Sequence, residues 1–142
     1  MTTPQALAAP ARTMRLIHAA MITGVLLFAL VVHFVMRPTM TTPNGAWSPA
    51  MARTLLGVAL GACAVALVLR RWVPRRSAGE SADAYWSSPA RPAAMLMWAP
   101  LEGASLASIV VYLNTGAQGA VAVGAIAVIL FIVLNPASLE KP

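Results

Sequence analysis

The chain has 142 residues, of which 59% are hydrophobic and 10% charged, with a mean hydropathy of +0.75. That composition excludes a soluble domain wrapped in a charged shell, and without a basic helix face interleaved with aromatics the net charge of +6 does not mark a nucleic-acid partner. A lone cysteine, Cys63, excludes an intramolecular disulfide and a cysteine-built metal site.

Residues 1–13 hold prolines and alanines without apolar periodicity and are expected to form a disordered tail. Apolar runs follow at 14–36, 50–69, 93–113 and 120–134. Each is read as one transmembrane helix, because roughly 30 Å of hydrocarbon needs about 20 helical residues. The first is too long for a signal-peptide core and lacks a following small-x-small cleavage site, so it is expected to be retained. Arg37-Pro38 is expected to stop it, and Asn44-Gly45 with Trp47 marks a short external loop at the headgroup level. Ser48-Pro49 predicts an N-cap with proline at the first helical position, and Arg70-Arg71-Trp72 anchors the far end of the second helix. Residues 72–92, with arginines, serines and prolines, have too little apolar surface to fold alone and are read as a connector. After the third run, residues 114–119 turn the chain back at once, making the third and fourth helices antiparallel neighbours. The fourth run is short and apolar all round, and is expected to be the most lipid-exposed or most tilted before the tail at 135–142.

Lysine and arginine fix an expected orientation. Arg12, Arg15, Arg70, Arg71, Arg75, Arg76, Arg91 and Lys141 lie with the termini and connector, against Arg37 and Arg53 opposite, a ratio of eight to two. The positive-inside rule then puts both termini and the connector in the cytoplasm. Nine arginines to one lysine, with abundant alanine, is the bias of a GC-rich bacterial genome, and the bacterial inner membrane is the expected location. The predicted fold is all-α, an integral membrane four-helix bundle of two helical hairpins. A shift of 79 residues lays the first run on the third, matching Arg12 with Arg91, Gly24 with Gly103 and Val31-Val32 with Val110-Val111. A parallel internal repeat would give such matches, and so would chance in helices rich in alanine and valine.

Glu102 is the one acid inside an apolar run, about 13 Å from the start of its helix and near the bilayer midplane. An ionised carboxyl there costs about 2.5 to 3.5 kcal/mol on insertion scales, so it should face protein or water. At 100° per residue Trp98, Glu102, Ser105, Ser108 and Tyr112 fall on one stripe, with Pro100 freeing the Leu96 carbonyl beside it. Two readings stay open. The stripe is a proton or cation site whose donors include Thr23 and Ser105, or it is a set of hydrogen bonds gluing helices together. His18 and His33 sit near the two ends of the first run, each within reach of water or a polar partner; a bis-histidine haem would need ligands from a facing helix that the chain lacks, so no cofactor is assigned. Gly57 and Gly61 form a GxxxG motif, a surface for close helix packing. No zinc-protease, phosphate-loop or nucleophile-elbow pattern is present, and the chain is read as non-enzymatic.

The third run, Ala99-Pro100-Leu101-Glu102-Gly103-Ala104 followed by Tyr112-Leu113-Asn114-Thr115-Gly116, resembles an uncharacterised family of small bacterial four-span inner-membrane proteins whose members read Ala-Leu-x-Glu-Gly-Ala and then Leu-Thr-Gly-Asn. The resemblance implies the four-span architecture and draws attention to Glu102, while Pro100 and Asn114-Thr115 depart from the pattern. A fainter likeness is to the proteolipid (c) subunits of rotary ATP synthases, from which the chain departs in carrying its acid on the first helix of a hairpin and in the predicted side of its first loop. The expected role is a structural or accessory component of a membrane assembly, with membrane lipids and other membrane subunits or further copies of itself as partners. The alternative is proton or cation handling through Glu102.

Overall fold

The computed structural model describes residues 9–39 and 47–141. Every regular element among them is helical. Helix α1, Pro10–Val31, passes into a π turn, Val32–Met36, and a last turn, α2, Arg37–Thr39. Helix α3, Pro49–Leu69, ends in a 3₁₀ turn at Arg70–Trp72. A short α4, Ala82–Trp86, precedes the long α5, Ala90–Thr115; α6, Gln118–Val133, and α7, Pro136–Leu139, complete the chain. Three stretches, Pro10–Thr39, Pro49–Trp72 and Ala90–Thr115, are long and apolar enough to cross a membrane; Gln118–Val133 is apolar but shorter.

Local chemistry explains the boundaries. Pro10 and Pro49 occupy first-turn positions where a missing N–H costs nothing, and the Ser48 hydroxyl accepts from the Met51 amide as the cap predicts. Helix α1 therefore starts before Met14, so residues 10–13 are helical rather than part of a disordered tail. Arg37-Pro38 does not end the first helix. The helix runs one residue past Pro38, to Thr39, and the π turn widens the ladder just ahead of it, with the Arg37 amide bonded five residues back to Val32. Residues 1–8 and the Asn44-Gly45 turn lie outside the described residues.

Helix α5 is the centre, packed along its length by α3 on one side and α6 on another, while α1 meets it lightly. The most apolar stretch of α1 is 11% buried, against 50% for α5. Helix α6 seats Ala120, Val123, Ala127 and Phe131 in the interior. Small residues make that seat possible. A Cβ on Gly124 would come within 3.3 Å of the Ser108 Cβ, so the two backbones approach as closely as glycine allows.

The connector and the C-terminal tail are folded parts of the molecule. Tyr85, Trp86, Val73 and Leu139 are buried in the main core with Met14, Met97 and Trp98. The N-terminus of α1, the connector and α7 consequently gather at one end, called here the tail end. The opposite end, where α2, the start of α3 and the α5–α6 turn lie, is the hairpin end.

Candidate functional site

The polar groups of the interior sort into two sets. At the tail end they are consumed by structure. The last carbonyls of α6 have no partner within their own helix. His18 Nε2 lies 3.0 Å from the Phe131 carbonyl and Trp98 Nε1 donates to the Leu134 carbonyl at 2.7 Å. Since a carbonyl can only accept, His18 carries its proton on Nε2. Its ring also packs 4.8 Å from Trp98 and edge-on to Phe131 at 5.1 Å. His18 is therefore a cap for α6. Around it, Glu140 accepts from Trp86 Nε1 at 2.9 Å and from Arg15 at 2.6 Å, and Asp83 accepts from the Ala11 amide at 3.0 Å in the first turn of α1. These acids join segments far apart in the sequence, which no local pattern reveals.

The stripe predicted on α5 divides. Trp98, Ser105 and Ser108 are buried, Tyr112 and Glu102 half-buried. Both serines donate to their own helix, Ser105 to Leu101 and Ser108 to Ala104, each at 2.8 Å. Their hydroxyls are satisfied four residues back and do not reach toward Glu102. Thr23 is exposed on α1, and no hydrogen bond among the described residues joins Glu102 to Thr23, Ser105 or any other group. Among the described residues no cluster of three histidines, cysteines or acids could hold a metal ion. The Gly57 and Gly61 face of α3 is exposed, with nothing among the described residues within 4 Å of a Cβ built on either.

Tyr112 is brought to a partner that the wheel did not foresee. Its hydroxyl lies 3.0 Å from His33 Nδ1, with the rings stacked at 22°. The π turn carries His33 there, and π turns recur at functional positions. Arg37 follows it, its guanidinium 5.8 Å from the Tyr112 ring centre and donating to the Leu113 carbonyl at 3.3 Å. A cation at the C-terminal carbonyls of α5 is favourable to the helix dipole. Gly116, at φ +67°, ends α5 in the left-handed conformation, and the guanidinium fills the space its side chain would need.

Below this cluster a groove of about 680 Å³ lies between α1, α5 and α6. Its walls include Leu26 and Ala29 of α1, Ser108 and Ile109 of α5, and Val128 and Ile129 of α6. Polar side chains stand mainly at the mouth, where His33, Tyr112 and Gln118 line it. Comparison with protein families, curated proteins and solved structures finds no match to this chain.

Proposed function

We propose that the chain is a non-enzymatic inner-membrane protein that crosses the bilayer four times, with both termini cytoplasmic, and serves as a structural or accessory component of a membrane assembly. The observation that carries this reading is the open Gly57 and Gly61 face. A GxxxG ridge lets two helix backbones approach closely, yet here it is exposed beside Val58 and Val65 and packs against nothing among the described residues. Such a surface suits another helix, from a second copy or another subunit. The topology draws support from the charge bias of eight to two and from the gathering of α1's start, the connector and α7 at one end. Gln118–Val133, at 16 residues about 24 Å long, would cross with its flanking residues or in a locally thinned bilayer. The alternative, ion handling at Glu102, needs several oxygen donors around one carboxylate and lacks that support.

The test is association in a membrane. Chain purified from its native membrane and cross-linked in lipid nanodiscs or vesicles should run above monomer mass or carry a partner. The double variant Gly57→Leu, Gly61→Leu should lower that species at least tenfold with helix content unchanged. A wild-type chain found as a monomer without partners overturns the reading.

A further inference from the structure

The geometry points to a lipid site: we propose that the groove between α1, α5 and α6 holds one acyl chain of an anionic phospholipid from the leaflet at the hairpin end, with the phosphate beside Arg37 and the His33–Tyr112 pair. The inference rests on the chain lying in a bilayer and goes beyond the assembly role.

Depth is the first argument. At 1.5 Å per residue the groove's walls run about 12 Å along α1 from Val25 to His33, about 10 Å along α5 from Ser105 to Tyr112, and about 16 Å along α6 from Gln118 to Ile129. One leaflet of hydrocarbon is about 15 Å deep. The groove thus begins at headgroup level and stops near the midplane, as an acyl chain does. Its 680 Å³ falls within the roughly 300–1,000 Å³ of pockets that take a single small ligand, a size that suits one fatty-acyl chain.

Polarity is the second. Ser105 and Ser108, the hydroxyl groups deeper in the walls, are turned onto their own helix, which leaves the depth apolar. The mouth differs. Whichever of His33 Nδ1 and Tyr112 Oη donates to the other, the pair keeps one N–H or O–H for an oxygen acceptor. Arg37 spends one bond, to Leu113, among the described residues, and so retains donors of its own.

Charge is the third, and it selects the headgroup. The four acids of the chain are Glu80, Asp83, Glu102 and Glu140, none of them in the segments that form the hairpin end, while Arg37 and Arg53 both lie there. A phosphate with net negative charge complements that end; a zwitterionic headgroup brings its own cation to two arginines.

Photolabelling tests this directly. The full chain is reconstituted into vesicles containing phosphatidylglycerol or, separately, phosphatidylcholine bearing a diazirine in the acyl chain, and labelled peptides are mapped. Label from phosphatidylglycerol should concentrate in the α6 segment around Val128 and Ile129 and the facing α1 segment around Leu26, exceeding phosphatidylcholine label at least threefold. Ala29→Phe, which fills the groove, should remove most of it, and Arg37→Gln should abolish the headgroup preference while leaving chain labelling. Label no denser there than on the outward face of α3 at Val58 and Val65, or equal label from the two lipids, overturns the proposal. Protein that washes off membranes in alkaline carbonate overturns the bilayer reading itself, and this one with it.

Discussion

The two ends of the molecule are built on different terms. At the tail end α1 is held by directed bonds and by rings. Asp83 takes the Ala11 amide, Glu140 takes Arg15 and Trp86, and His18 reaches the Phe131 carbonyl between Trp98 and Phe131. At the hairpin end its described ties are His33 to Tyr112 and Arg37 to Leu113, and between them and α6 lies the groove. Closing one end with aromatic rings and carboxylates lets the other stay open without losing the helix. The same helix is clamped at its root, while toward its tip it is tied to α5 and separated from α6 by the groove.

The comparison is most easily broken at Trp98. Trp98→Ala removes a fully buried ring and orphans the Leu134 carbonyl, and should cost about 3 kcal/mol in a denaturant titration of the protein in mixed micelles. The outcome expected is loss of the tail-end clamp and release of α1, seen as faster proteolysis after Arg15. An intermediate effect is expected at the hairpin end. Gly116→Ala forces a left-handed residue, costing about 1 to 2 kcal/mol, and its methyl displaces the Arg37 guanidinium. Stability should fall by that amount and the anionic-lipid preference with it, which would tie the α5 cap to the groove's mouth. Smallest of all is Arg15→Gln. Its bond to Glu140 is short, at 2.6 Å, but the arginine side chain is 56% exposed. Solvent screening should hold the loss to about 0.5 kcal/mol or less, and a larger loss would show that the charge, more than the rings, closes the tail end.

What could be read in the sequence was whatever depends on near neighbours. The cap at Ser48, the turn after Thr115 and the apolar extent of the helices follow from residues a few positions apart. The clamp does not, since Arg15 and Glu140 are 125 residues apart and Ala11 and Asp83 are 72. Tyr85 and Trp86 looked like part of a polar connector because the residues that bury them come from α1, α5 and α7. Uniform hydropathy in α6 says nothing of its neighbours; the informative signal is its small residues at Ala120, Gly124 and Ala127, spaced to let α5 approach. At the candidate site, Tyr112 was singled out, but not its partner. That partner, His33, lies 79 residues away in the chain.

The π turn at Val32–Met36 has a consequence of phase. With its amide bonded to Val32, Arg37 is stacked above a fully buried residue, whereas an unbroken α-helix would carry it about 140° around the axis. The turn works as a gear change. It absorbs a surplus residue, so that one helix can present His18 at its root and Arg37 at its tip on one face. Deleting a single residue within it would restore an even winding and swing the tip out of step with α5, while leaving the root where it was.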